Sequence, residues 1–156
     1  MGRIYNVVID AVAVSAIQDL FEVVAPSDAI VRIRALEIGQ SSDAGDSQDE
    51  LLRGRIITGY TVSGSGGSSA TPQPKSLGDA AFGGTAEINN TTVANTGTAS
   101  IHRAFTWNVR AGYVWIPSEE DMIIVSPSAR AVVHLPAAPA DAITLSATLT
   151  IEEIGG

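Results

Sequence analysis

The sequence lacks several features that mark common protein classes. None of its 156 residues is cysteine, so a disulfide framework and a thiolate metal site are excluded. Aromatic residues make up only 5%, which suits a packed β-sandwich better than a nucleotide or sugar cleft. No apolar run reaches the roughly 20 residues of a membrane-spanning helix, and the N-terminus lacks the pattern of a signal peptide. We therefore expect a soluble chain made in a cytoplasm.

Positive charge is also scarce. Nine basic residues stand against 17 acidic ones, the net charge is −8, and Lys75 is the only lysine. Neutralising nucleic-acid phosphates requires clustered lysine and arginine. We therefore expect neither a nucleic-acid nor a membrane partner. The acidic balance fits a soluble protein or one that docks onto a basic protein surface.

The chain does contain many short segments in which apolar and polar residues alternate. The clearest covers residues 143–152, where every second residue is apolar, as in a strand with one buried face. A second, Ile101 to Val109, is interrupted only by Arg103. The candidate strands are residues 3–9, 18–24, 30–38, 51–61, 100–110, 113–116, 122–125, 130–135 and 143–152.

Regular short strands separated by proline and glycine turns indicate a sandwich, a jelly roll or a barrel. We predict an all-β fold, a jelly-roll-like antiparallel β-sandwich of about eight strands, as a single domain over residues 1–156. A chain of this length buries roughly 68–70% of its extended-chain surface. One short helix is predicted at residues 77–82, with Ser76 as its cap.

A long tract rich in serine, glycine, threonine and proline separates the two halves, at about residues 62–99. Structureless loops beyond about 12–15 residues are usually functional arms or linkers. We therefore predict an extended arm that projects from the β scaffold and makes contacts with a partner. The segment around Pro72, Pro74 and Lys75 is the part that we expect to wrap around it.

No residue set spells out a reaction. The two histidines, His102 and His134, both lie in predicted strands. A catalytic triad also needs a nucleophile and an orienting acid within reach, and no Gly-x-Ser-x-Gly motif occurs. We therefore expect no catalytic residues, no cofactor and no enzymatic activity.

The acidic segment at residues 41–50 is the best candidate for a metal site. Asp43, Asp46 and Asp49 offer oxygen ligands suited to calcium. Their spacing does not match the twelve-residue calcium loop, so a solvated acidic loop is the preferred interpretation. A docking patch for a basic partner is the third possibility.

Two pairs of arginines carry more information. Arg32 and Arg34 lie on one face of their strand, and Arg53 and Arg55 on one face of the next. If these strands are neighbours, four guanidinium groups share one patch. The patch is then either an ion-pair ladder, with Asp19, Glu22 and Glu37 as possible partners, or a contact surface for another subunit.

Three aromatic residues lie within a short stretch of sequence. Trp107 shares the apolar face of its strand, so core packing is expected. Tyr113 and Trp115 have the same parity in a segment that ends at Pro117. They are predicted at an edge or a subunit interface, where amphipathic aromatics are enriched.

Four segments together resemble the small structural proteins encoded in the head-gene regions of tailed bacteriophages. They are residues 53–61, 63–67, 87–92 and 105–110. Such proteins are often head decoration (cement) proteins, which sit on the outside of the capsid as trimers and brace it. The resemblance implies a non-enzymatic virion component, assembled in the host cytoplasm, whose partners are the major capsid protein and copies of itself.

Three functions therefore stay open, with a capsid decoration protein preferred. The interface residues expected for it are the four arginines, the Pro72–Pro74–Lys75 segment, Tyr113 and Trp115. A phage tail or baseplate component is the second possibility. A carbohydrate-binding β-sandwich, using the Tyr113 and Trp115 rings and perhaps calcium at the aspartates, is the third.

Overall fold

Each of the nine alternating segments forms a strand in a computed structural model that describes residues 2–42 and 50–155. Three further strands come from the polar tract, so the described residues form twelve. In chain order they are β1 (Arg3–Val14), β2 (Gln18–Val24), β3 (Ala29–Gln40), β4 (Leu51–Val62), β5 (Ser68–Ala70), β6 (Gln73–Pro74), β7 (Thr85–Asn90), β8 (Asn95–Asn108), β9 (Tyr113–Trp115), β10 (Ile123–Val125), β11 (Arg130–Leu135) and β12 (Ile143–Gly155).

The strands form two antiparallel sheets. The first sheet has the order β10-β3-β12-β1-β6, with β9 also paired to β3, and the second has the order β5-β7-β2-β11-β4-β8. The chain moves to the other sheet at each step from β1 to β4 and again from β10 to β12. This alternation builds the two Greek keys of a jelly roll. The predicted all-β jelly-roll-like sandwich is confirmed.

The core lies between the two sheets and follows the period-two pattern. All five apolar residues of the β12 pattern, from Ile143 to Ile151, are buried. They meet Phe21 and Leu135 of the second sheet in one continuous cluster. Because successive side chains of a strand point to opposite faces, one face of each long strand enters this core and the other remains outside.

The alternating pattern in β8 is only partly right. Phe105, Trp107 and Val109 are buried as predicted, but Ile101 is 54% exposed. The pairing of β8 with β4 shifts by one residue beside Ile57, and a one-residue shift moves side chains to the other face. The β8 residue that breaks the apolar pattern, Arg103, donates to the Tyr113 hydroxyl at 2.8 Å and lies over the Trp115 ring.

The polar tract lies along the sandwich, which corrects the prediction of a projecting arm. Its strand β7 pairs with β2 and with β5, extending the second sheet, whereas β6 pairs with β1 in the first sheet. Residues 63–67 connect β4 to β5, residues 91–94 connect β7 to β8, and Ser65 and Thr92 exchange two backbone hydrogen bonds. Pairing satisfies backbone N–H and C=O groups of β5, β6 and β7 and covers the edges of β1 and β2.

The short helix predicted at residues 77–82 does not form. The segment contains one turn, in which Asp79 N donates to Ser76 O at 3.0 Å. Leu77 is fully exposed at this turn, whereas Phe82 at the end of the segment packs against the core, so these two large apolar side chains do not form one buried face. Without such a face a short helix is not stable in water.

Candidate interaction surfaces

Both histidines make polar contacts, but neither forms a triad with the residues that the structure describes. His134 Nδ1 lies 2.8 Å from Asp19 Oδ1, and His102 Nε2 lies 2.7 Å from Thr58 Oγ1. A triad requires a nucleophile, a base and an acid in one hydrogen-bonded series. Within residues 2–42 and 50–155, His134 contacts an acid but no nucleophile, and His102 contacts a hydroxyl but no acid. Each contact joins two paired strands and so supports their pairing.

The described residues also contain no group of three or more histidine, aspartate or glutamate side chains that could hold a metal ion. Asp43, Asp46 and Asp49, the candidate calcium ligands, lie outside the described residues. That prediction is therefore not tested.

Three buried carboxylates of the sandwich bind the polar tract through its backbone N–H groups. Asp19 accepts a hydrogen bond from Ala94 N at 2.7 Å, and Glu153 accepts one from Gly83 N at 3.2 Å. Glu22 accepts one from Gly64 N at 2.9 Å. Two of these contacts lie near the ends of the tract, and the third lies close to β7. Hydrogen bonds to a charged acceptor are stronger than those between neutral groups.

Glu22 is the centre of the largest of these networks. Its side chain is only 2% exposed and forms an ion pair with Arg130 at 2.5 Å. The Ser63 hydroxyl and the Asn90 amide also donate to it, at 2.6 and 3.2 Å. A buried carboxylate is tolerated only when it is paired and hydrogen-bonded, and here the polar tract provides most of the donors.

Sequence reasoning proposed Glu22 as an arginine partner but did not select Arg130. It missed Glu152 and Glu153 as buried groups. Acidic residues within otherwise apolar strands, as in β2 and at the end of β12, are the sequence feature that could have indicated buried carboxylates.

The idea that the two arginine pairs share one patch is wrong. Arg32 and Arg34 lie in β3 of the first sheet, and Arg53 and Arg55 lie in β4 of the second. Alternating β3 residues Val31 and Ile33 enter the core, as do Leu52 and Ile56 of β4. The arginines therefore lie on the two opposite outer faces of the sandwich, since strands adjacent in a jelly-roll sequence belong to different sheets.

One arginine of the β3 pair forms an internal ion pair, with a carboxylate that was not among the three expected partners. Arg34 contacts Glu152 at 2.7 Å, and Arg32 stands opposite Glu152 in the strand register. Burial by itself disfavours the charged form of Glu152, but the hydrogen bonds from Arg34 and from Gly2 N outweigh it. The pKa of this carboxyl consequently lies below its ordinary value of 4.5.

The β4 pair differs in its surroundings. Arg53 stands opposite Thr106 in β8, and Arg55 stands between Ala104 in β8 and His134 in β11. A cross-strand ladder would place a carboxylate at one of these positions. No carboxylate of the described residues forms an ion pair with either arginine.

The segment predicted to wrap a partner is attached to its own sandwich. Pro72 is buried, Pro74 stands opposite Tyr5 of β1, and Lys75 N donates to Ile4 O at 2.8 Å. The Tyr5 hydroxyl in turn donates to Ala80 O at 2.9 Å. Of the three predicted contact residues, only Lys75 is exposed.

The predicted aromatic interface residues pack mainly within the protein. Trp115 is only 8% exposed, and the Tyr113 ring stacks on Phe105 with centroids 4.2 Å apart. A sugar-binding platform needs exposed ring faces, so this packing weakens the carbohydrate interpretation. The neighbouring Val114 and Ile116, by contrast, are 64% and 69% exposed.

A groove of about 530 Å³ opens on the outer face of the first sheet. Asp10, Glu37, Gln40 and Thr148 line it, together with the β8–β9 connection. The Gln40 Oε1 atom is buried there without a hydrogen-bond partner among the described residues. The described residues that line the groove present mixed polar and apolar groups.

No family model matches this chain, and neither the curated proteins nor the solved structures include a significant match. Within the described part of the chain, no helix is long and apolar enough to cross a membrane.

Proposed function

We propose that this chain is a structural, non-enzymatic protein of a tailed-bacteriophage virion. In this proposal it decorates the head by binding the lattice of the major capsid protein, and it acts as a homotrimer. The sequence resemblance to head decoration proteins suggests the class. The jelly-roll sandwich is compatible with it, but a fold alone does not identify a function.

The observation that supports the proposal most is the way the polar tract is held. Its backbone is paired with both sheets and bound by Asp19, Glu22 and Glu153. The buried polar groups of the described residues are thus used mainly to stabilise a rigid body. A protein that braces a shell needs such a body, because a preorganised surface loses little conformational entropy when it binds.

The outer surface also offers material for contacts. Strand β8 is an edge of the second sheet, and its residues 95–102 are all exposed. Edge strands and exposed apolar side chains such as Val114 and Ile116 are common features of interaction surfaces.

The test is sedimentation of the purified chain alone and with undecorated capsid shells of its source phage. Saturable co-sedimentation, together with a trimeric mass for the free protein, is the expected result. Failure to bind shells would reject the decoration role. If the chain instead formed rings that bound purified tail tubes, a tail or baseplate role would replace it.

A further inference from the structure

The outward-facing residues of β4 form a surface unlike the rest of this acidic protein. Leu51, Arg53 and Arg55 alternate with the buried residues Leu52 and Gly54. Leu51 is 74% exposed. We call Leu51, Arg53 and Arg55, with their exposed β8 neighbours Ala104 and Thr106, the β4 arginine face.

The two arginines of this face have no internal counter-charge in the described residues, although acidic residues outnumber basic ones by 17 to 9 in the chain. Arg3, Arg34 and Arg130 each pair with a buried glutamate. The strand register places threonine opposite Arg53, and alanine and histidine on the two sides of Arg55, in place of a carboxylate.

The strand beneath the face is held firmly. Gly54 backs directly onto Phe105, whose ring atom Cζ lies 2.3 Å from the position that a Cβ would take. Ladders with β8 and β11 flank β4 on its two sides. The guanidinium groups therefore extend from a rigid backbone, so only their side chains need to be ordered on binding.

We propose that the β4 arginine face docks onto a carboxylate-presenting surface of a partner protein. This inference rests on the proposed function and adds an orientation: the second sheet faces the capsid lattice and the first sheet faces away. Arginine is enriched at protein interfaces, the exposed Leu51 adds apolar area beside it, and planar guanidinium groups bind carboxylates in bidentate geometry. The net charge of −8 disfavours a nucleic acid as the partner.

The decisive comparison is between Arg53→Gln and Arg32→Gln, each of which removes one positive charge but from opposite faces. Binding of each variant to undecorated shells is measured by sedimentation at about 0.05 M and 0.5 M salt. We expect Arg53→Gln to weaken binding about tenfold, Arg53→Gln/Arg55→Gln to weaken it further, and Arg32→Gln to bind as the unaltered protein does. The effect of salt on shell binding should become smaller in the β4 variants and stay unchanged in Arg32→Gln. Thermal unfolding checks that each variant is folded.

A second measurement separates this inference from the decoration role. The full chain is titrated with a glutamate-rich peptide at low salt while backbone amide NMR signals are followed. Shifts confined to β4 and to the facing part of β8, absent in Arg53→Gln/Arg55→Gln, support the docking face even if shells are not bound. Equal shell binding by the unaltered chain and the double variant overturns it. So does the absence of both shell binding and peptide shifts.

Discussion

At the scale of single residues, Glu22 is the most informative position. It combines an ion pair to Arg130 with hydrogen bonds from Ser63, Gly64 and Asn90, and its side chain is almost fully buried. The carboxylate joins the sandwich, through Arg130, to the polar tract, which supplies the other donors. Arg130 balances its charge, and the other three donors hydrogen-bond to it.

The substitution Glu22→Gln should lower the free energy of unfolding by about 3–5 kcal/mol, because it leaves Arg130 without its counter-charge in a mostly buried site. The NH2 group of the new glutamine side chain would also face hydrogen-bond donors that now contact a carboxylate oxygen. Urea denaturation measures the change. The matched control Glu37→Gln, on an exposed residue of β3, should stay within about 0.5 kcal/mol of the unaltered protein. Similar midpoints for the two variants would show that the network contributes little.

Gly54 supports a second prediction. A methyl group at this position would overlap the Phe105 ring, whereas one at Gly39, also in a strand, would meet nothing within 4 Å. We expect Gly54→Ala to destabilise the fold by about 1–3 kcal/mol through overpacking. Gly39→Ala should be close to neutral. Thermal unfolding of both variants tests this, and equal melting temperatures would contradict the close packing.

At the scale of elements, the polar tract is the main finding. A free arm and a paired tract can have the same composition, but the backbone amides of a paired tract are protected from hydrogen exchange. Strand β7 lies between β2 and β5, so its N–H groups have partners on both sides. The turn at residues 75–79 lies outside the sheets.

Hydrogen–deuterium exchange should therefore be much slower in a peptide covering Thr85–Asn90 than in one covering residues 75–79. The comparison within one protein controls for pH and temperature. Rapid exchange in both peptides would indicate that the tract detaches in solution.

At the scale of the whole molecule, Glu152 links stability to pH. Its pKa in the folded state lies below the ordinary value of 4.5, which we take for the unfolded chain. At pH values between the two pKa values, the unfolded chain therefore binds the proton more readily than the folded chain does. The stabilisation is fully present above pH 4.5 and is lost as the pH falls through the folded-state pKa.

We expect the free energy of unfolding to decrease as the pH is lowered through this acidic range, and to decrease less steeply in Glu152→Gln. Denaturant titrations at a series of pH values measure both slopes, with Glu37→Gln as the control. An unchanged acid slope in Glu152→Gln would mean that other carboxylates control acid unfolding.

The sequence alone determined the strands and their buried faces. Period-two alternation is a local property, so all nine predicted strands formed and the apolar residues of β12 entered the core. The fold class followed from the number and spacing of those strands. Local exceptions arose where pairing shifts by one residue, as at Ile101.

The tertiary structure decided which strands are neighbours and what covers them. It placed Arg34 beside Glu152 and left Arg53 and Arg55 on the opposite face. It also paired the polar tract with both sheets, although serine and glycine carry little strand signal. These outcomes depend on hydrogen bonds and ion pairs between residues far apart in the chain, such as Glu22 with Arg130. A local pattern contains no information about such partners, because the energy of pairing belongs to both strands together.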